Sequence, residues 1–227
     1  MLNFRIITLF PESFSSYLDE SIMARAIKQK KIRVSFYNPR DFAKGKLRKV
    51  WPDGNVTTYV DDRPYGGGPG MVLRPEPILG AAEKAIRKAT SDKRQAKVII
   101  LSPSGKQFTN KEAEKLRKEK NIILISGRYE GVDARVKKIT KAMEYSVGPY
   151  VLTGGELPAM IIVDAISRRL PGVLNKKESI EENRVSSSEI YTRPETLEWR
   201  GKKYKVPKIL LSGHRGKINK WKAKRAL

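Results

Sequence analysis

Apolar positions along this chain fall into two rhythms. Phe4 to Leu9 is a short apolar run that stops at a Phe-Pro-Glu turn, and Phe14, Leu18, Ile22 and Ile27 then recur at near-helical spacing. That pattern predicts a strand followed by an amphipathic helix. Ile32 to Tyr37 alternates like a second strand and stops at Asn38-Pro39. A third unit opens at Pro75, where Ile78, Leu79, Ala82 and Ile86 mark a helix leading to Val98-Ile99-Ile100-Leu101. Asn110 to Glu119 reads as another helix, ahead of Ile122-Ile123-Leu124-Ile125, and Leu157 to Leu170 as the last strong one. Unbroken β-branched runs separated by helices are what a parallel sheet covered on both faces requires, so the main domain is expected to be α/β.

Two long stretches break this rhythm. Ala43 to Tyr65 has little apolar periodicity and a basic start, which predicts a mobile loop rather than core. Pro171 to Arg193 is polar and serine-rich and reads as a linker. Beyond it, Tyr204 to Leu211 is expected to be extended and Gly216 to Leu227 to form a basic helix containing Trp221. From Arg200 onward there are eleven Lys or Arg and no Asp or Glu, which makes this tail the foremost candidate for phosphate contact.

Composition narrows the chemistry. The 227 residues suffice for one sizeable core with a small appendage. The absence of an apolar run of eighteen or more residues, and of a signal-peptide pattern at the start, predicts a soluble protein that stays in the cytoplasm and spans no membrane. With no cysteine and the single histidine His214, disulfides, thiolate chemistry and His-rich metal sites are excluded, and no metal-ligand set is assigned. Carboxylates and basic side chains must carry the work. Lys and Arg number 47 against 24 Asp and Glu, a net charge of +23 that is the footprint of a phosphate-rich partner.

Three small-residue loops stand at or near strand ends: Leu101 to Gly105, Ser126 to Gly131, and Ser146 to Gly155. In an open α/β sheet, ligands lie beyond the carboxyl ends of the strands, where glycines let backbone groups approach them. Three such loops point to one composite pocket. The segment Asp61-Asp62-Arg63-Pro64-Tyr65-Gly66-Gly67-Gly68-Pro69-Gly70-Met71 is not a P-loop, since no Gly-Lys-Ser or Gly-Lys-Thr follows. It reads either as a hinge or as a site where paired carboxylates accept hydrogen bonds from a base edge.

DDRPYGGGPGM, LSPSG, SGRYEGVD, VLTGGELPAM with Asp164 and the following PGVL, YTRPE at Tyr191 to Glu195, and SGHRGKINKW occur in this order. Together they resemble the bacterial tRNA (guanine-N1-)-methyltransferases of the SPOUT superfamily, over essentially the whole chain. The resemblance implies an α/β fold with a parallel sheet and a deep trefoil knot, plus a small basic helical C-terminal domain. It divides the chain into a knotted catalytic domain, 1–172, a flexible interdomain linker, 173–194, and a basic, shortened tRNA-binding domain, 195–227. It further implies a homodimer, tRNA bound through its anticodon stem-loop with no DNA, and S-adenosylmethionine as methyl donor. Magnesium, which the family uses, is left open. The pocket carried over comprises Leu101, Ser102 and Pro103, then Gly127, Tyr129, Glu130 and Gly131, then Ser146, Val147, Gly148, Pro149, Tyr150, Val151 and Leu152 with Gly154 and Gly155. Asp61, Asp62, Arg63, Tyr65 and His214 are the implied substrate contacts.

Methylating N1 of guanine requires removal of its proton and stabilisation of the charge that develops on O6. The resemblance gives the second task to Arg168 and the first to an aspartate of the linker, but that position holds Asn183 here. Neighbouring Glu182 is the expected replacement, ahead of Glu189, and Glu130 of the pocket is counted with the catalytic set. Pro149 stands where the family has an acidic residue, extra residues precede DDRPYGGG, and the chain stops soon after Trp221. Two alternatives stay open: a related methyltransferase acting on ribosomal RNA, and a weakened or non-catalytic RNA-binding protein.

Overall fold

The structure is a computed structural model that describes residues 1–90, 96–174 and 187–225. It comprises two compact units, Met1–Val173 and Leu174–Leu227. In chain order the first holds β1 (Leu2–Ile7), the short helices α1 (Ser15–Leu18) and α2 (Ser21–Lys28), β2 (Ile32–Tyr37), β3 (Arg48–Val50), β4 (Val56–Thr58), β5 (Asp61–Asp62), β6 (Val72–Leu73) and α3 (Pro75–Thr90). There follow β7 (Lys97–Gln107), α4 (Asn110–Leu116), β8 (Asn121–Ser126), α5 (Ala134–Thr140), β9 (Met143–Ser146) and α6 (Glu156–Ser167).

Five of these strands form one parallel sheet in the order β2-β1-β8-β7-β9. Every residue of β8 is buried, because the strand is central and both faces are covered. Its alternate side chains serve two cores. Ile122 and Leu124 join Phe4, Ile6, Ile99 and Leu101 under α2, α4 and α6, whereas Ile123 and Ile125 join Ile7, Val98 and Ile100 under α3 and α5. Each such side chain contributes about 1.5–3 kcal/mol by leaving water. Arg5, the one buried cation among the described residues, donates through Nη1 to Asn121 Oδ1 at 2.7 Å and through Nη2 to the Lys88 carbonyl at 3.3 Å. Among the described residues no helix is long and apolar enough to cross a membrane.

The structure corrects four readings of the sequence. The first helix is interrupted at Ser21, whose φ is +51, so the helical phase restarts there. Met23 and Ala26 are then buried, while Ile22 points out with 36% of its surface exposed. Ala43 to Tyr65 is not a bare loop: β3 and β4 pair as a hairpin, and Ala43 and Val60 are core residues. The strand that begins at Lys97 does not end at Leu101. It resumes after a four-residue excursion, with Tyr145 of β9 opposite both Leu101 and Lys106. Gly105 sits where a Cβ would lie 2.7 Å from the Tyr145 backbone, so only glycine lets the strand return to register.

In the second unit β10 (Thr196–Trp199) and β11 (Lys202–Lys205) form a hairpin closed by Arg200 and Gly201, both with positive φ, the turn geometry that matches strand twist. Helices α7 (Lys208–Leu211) and α8 (Arg215–Ala223) follow. Tyr204 to Leu211 is thus extended only in its first part, because the chain turns helical after Pro207. Ser188 N donates to the Arg225 carbonyl at 2.7 Å, and the Arg225 guanidinium lies over Trp221.

Candidate functional site

The carboxyl ends of β7, β8 and β9 open into a cavity of about 1020 Å³. Three segments enclose it: the excursion Leu101–Ser104, the turn Gly127–Val132 after β8, and the chain from Ser146 to Gly155 between β9 and α6. Their closeness depends on glycine. Gly155 N donates to the Gly127 carbonyl at 2.8 Å, and a Cβ on Gly155 would lie 2.6 Å from Ser126 Cα and 2.8 Å from Gly127 N. Backbone cannot yield there, so the two turns touch only without a side chain.

Of the residues singled out in the sequence, Leu101, Ser102, Pro103, Gly127, Tyr129, Glu130 and Gly131 line the cavity, as do Ser146, Val147, Tyr150, Val151, Leu152, Gly154 and Gly155. Gly148 and Pro149 do not. Gly148 instead underlies the Tyr150 ring, which a Cβ would meet at 2.2 Å. The lining also includes Arg128, from within SGRYEGVD, and Lys137, Lys138, Lys141 and Glu144, which lie outside the motifs. Helical spacing was the only sequence signal for Lys137, Lys138 and Lys141, and it does not say which way the helix faces. Lys137 Nζ is 2.7 Å from Glu144 Oε2, so one of these cations is neutralised within the wall.

The aspartate-rich loop closes onto the same turn. Glu130 N donates to the Met71 carbonyl at 3.0 Å, and Leu73 N to the Gly131 carbonyl at 2.9 Å. The Glu130 carboxylate lies over Gly70, where a Cβ would be 2.6 Å from its Oε1. The Tyr129 hydroxyl faces the Asp61 carboxylate, and burial first, then that carboxylate, raises its pKa. Tyr129 itself occupies the left-handed region, φ +58, in a turn held by Gly131 N donating to the Arg128 carbonyl. Asp62 pairs with Arg74 at 2.7 Å and accepts from Arg63 N at 2.8 Å. Tyr65 is fully exposed.

Behind the cavity, buried Glu156 in the first turn of α6 accepts from Thr8 Oγ1 at 2.7 Å and faces Arg128 Nε at 3.0 Å. Arg128 also stacks over Phe10, 4.4 Å from guanidinium carbon to ring centroid. At the outer rim Glu112 receives Lys106 Nζ at 2.8 Å, the Tyr145 hydroxyl at 2.8 Å and Lys115 Nζ at 3.2 Å. The Lys106 ammonium and the Tyr145 hydroxyl hold the Glu112 carboxyl at about 2, against burial, which opposes them. Burial, then Glu112, pushes Tyr145 up to about 12.

The remaining candidates lie elsewhere. Arg168 caps the C-terminus of α6, half-buried and outside the cavity lining, with its N–H on the Asp164 carbonyl at 3.0 Å. Asp164 also accepts a hydrogen bond from the Tyr17 hydroxyl, whose pKa burial and that carboxylate push up to about 12. Glu182 and Asn183 fall outside the described residues. Glu189 is engaged by Arg225 Nε at 3.1 Å and the Tyr191 hydroxyl at 3.2 Å. His214, in the second unit, is exposed and precedes α8, its carbonyl accepting from Ile218 N. Among the described residues no three His, Asp or Glu form a group that could hold a metal ion.

Comparison with known proteins places this geometry. The chain is 46% identical over 231 residues to the tRNA (guanine-N(1)-)-methyltransferase of Dictyoglomus turgidum, covering 100% of this chain and 86% of that protein. It is 43% identical over 230 residues to the enzyme of the same name from Clostridioides difficile, covering 100% and 93%. The crystal structure of tRNA (m1G37) methyltransferase from Aquifex aeolicus superposes with a TM-score of 0.72 at 41% identity, over 98% of this chain and 88% of that one. The family model described as tRNA (Guanine-1)-methyltransferase TrmD matches residues 2–227, and this chain, with its parallel sheet and its three turns around one cavity, belongs to that family.

Proposed function

We propose that this chain is a cytoplasmic tRNA methyltransferase that moves a methyl group from S-adenosylmethionine to N1 of guanosine 37, next to the anticodon. One observation carries the reading: in a chain of this family, three separate turns enclose a single cavity at the carboxyl ends of β7, β8 and β9, where open α/β sheets bind ligands. The lining suits the donor. Ile100, Leu101, Val132 and Leu152 offer apolar surface to a purine, Glu130 a carboxylate to cationic groups, and Lys138 and Lys141 ammonium groups to a carboxylate. When bound, S-adenosylmethionine supplies an electrophilic methyl on a sulfonium.

The protein's own residues then have two tasks. Orientation falls to the turns, whose backbone contacts fix the cavity before any ligand arrives, so that little ordering entropy is spent at the reacting centre. Proton handling falls to charged side chains. Glu182 removes the N1 proton in place of an aspartate at Asn183, and the Arg168 guanidinium stabilises the charge growing on O6. Asp61, Asp62, Arg63 and Tyr65, on the loop that closes over Tyr129, hold the base edge. No step is assigned to magnesium.

Three features of assembly belong to the same reading. The chain leaves β9 at the sheet edge and next packs α6 beside α2 and α4, with Gly155 against Gly127, which supports threading into a trefoil knot. Leu157 and Ile161, one turn apart on α6, are 55% and 43% exposed, and Val151 is 80% exposed. Such an apolar face supports a homodimer. The basic second unit, with Arg215, Lys217, Lys220 and Lys222 on α8 beside His214, supports phosphate contact with the anticodon stem-loop.

The test is methyl transfer from labelled S-adenosylmethionine to ribosomal RNA and to unmodified tRNA transcripts carrying guanosine or adenosine at position 37, with the product located by nuclease digestion. Label at N1 of guanosine 37 alone is expected. Label confined to ribosomal RNA, or binding of tRNA without any transfer, would replace this reading by one of the two alternatives. Glu182→Gln should abolish turnover while S-adenosylmethionine still binds; retained turnover removes Glu182 from the mechanism.

A further inference from the structure

A second cavity, of about 650 Å³, lies between α3 and the segment around Phe42–Leu47. Five cations line it, Lys44, Lys46, Arg74, Lys84 and Arg87, against two carboxylates, Glu76 and Glu83. A concave surface with that imbalance concentrates positive potential. Arg74 is engaged by Asp62 at 2.7 Å and Glu76 at 3.6 Å. Lys44 and Lys46 have no carboxylate partner among the described residues, and both are exposed.

Those two lysines are nevertheless held in place. Phe42 packs so tightly on α3 that a Cβ at Gly80 would lie 3.0 Å from it, and Ala43 is buried. Leu47 N donates to the Lys44 carbonyl at 3.1 Å, and the Leu47 carbonyl accepts from Tyr59 N at 2.8 Å. The backbone carrying both ammonium groups is therefore anchored on each side. The row of charge also continues beyond the cavity, through exposed Arg48 and Lys49 of β3. A strip longer than one anion calls for a ligand with phosphates in series.

Its position relates it to the first cavity. Arg74, in the wall of the second, pairs with Asp62, and adjacent Asp61 faces Tyr129 in the wall of the first. We propose that the second cavity and the Lys44–Lys49 strip bind successive backbone phosphates of the same tRNA whose base enters the first cavity. The inference rests on the tRNA reading above. The extra residues ahead of DDRPYGGG thereby extend the RNA-binding surface.

The test uses the full chain and the double variant Lys44→Gln/Lys46→Gln, with tRNA affinity measured over a range of KCl concentrations. Losing two phosphate contacts should flatten the log K against log salt slope by about 1.4–1.8 and raise KM for tRNA, with kcat and KM for S-adenosylmethionine unchanged. Glu83→Gln should change tRNA affinity in the opposite direction, which a general loss of folding cannot mimic. An unchanged slope and KM in the double variant, with the parent binding tRNA normally, overturns this site and leaves the function standing. A parent protein that binds no tRNA overturns both. If inorganic phosphate gives a thermal shift that the double variant loses while its tRNA binding stays intact, the cavity is a free-anion site and the proposal fails.

Discussion

Thr8 Oγ1 donates to Oε1 of Glu156 at 2.7 Å, tying the chain just past the first strand to the helix that follows the cavity, 148 residues later. Both groups are buried, and the other Glu156 oxygen faces Arg128 Nε at 3.0 Å. The carboxylate also sits in the first turn of α6, where the helix dipole favours negative charge. Glu156 therefore orients Arg128 along the cavity wall without touching a ligand itself.

Glu156→Leu should leave Arg128 without its counter-ion and Thr8 without its acceptor. A cost of about 3 kcal/mol is expected, the low end for breaking a buried pair on one side, because a quarter of the Arg128 side chain reaches solvent; it is read as a drop in urea midpoint. Thr8→Val removes one neutral donor and should cost less, about 1–3 kcal/mol. Equal losses in the two variants would contradict the assignment of Arg128 to Glu156.

Gly155→Ala tests the closure of the cavity. Its added methyl would lie 2.6 Å from Ser126 Cα and 2.8 Å from Gly127 N, so one turn must move. Overpacking of this kind costs about 1–3 kcal/mol, and S-adenosylmethionine binding measured by calorimetry should weaken at least as strongly. Parental affinity in the variant would show that the Gly127–Gly155 contact does not shape the site.

Glu112 gives a pH dependence whose sign is fixed by its three donors. Its folded-state carboxyl is held at about 2, below the ordinary carboxylate range, chiefly by Lys106 and Tyr145. A depressed carboxylate stabilises the fold above its unfolded pKa of about 4.3 and loses that contribution as pH falls toward about 2. Glu112→Gln should therefore melt lower than the parent at pH 7, with the gap closing as pH is lowered from 5 to 3. A gap independent of pH would assign the loss to packing.

Tyr129→Phe removes the hydroxyl that faces Asp61 and nothing else. A hydroxyl–carboxylate interaction is worth about 1.5–3 kcal/mol when buried and less where water screens it, as at half-exposed Tyr129, so tRNA affinity should fall about two- to tenfold if Asp61 must be held for the base. Because Tyr129 also lines the first cavity, affinity for S-adenosylmethionine is measured in parallel, and a loss confined to it would separate the loop from substrate binding.

Much of the architecture was legible in the hydrophobic pattern. Ile122 to Ile125 is apolar at every position because the strand is central, and that continuity is a local property visible without coordinates. Hinges were not: Ser21, in the left-handed region at φ +51, shifts the helical phase and exposes Ile22, and its residue type does not announce that angle. The basic start of Ala43 to Tyr65 concealed a hairpin and two core residues, since three-residue strands leave too few alternations to read.

By itself, then, the sequence determined the layered α/β class, the three glycine-bearing turns, the family motifs and the excess of positive charge, all of which depend on neighbours along the chain. Tertiary structure alone decided that Gly155 lies on Gly127, that Asp61 meets Tyr129, that Arg128 answers to Glu156, and that the lysines of α5 face the cavity. Those contacts join residues far apart in sequence, and close packing, which admits a backbone only where no Cβ stands in the way, chooses them after the sheet has formed.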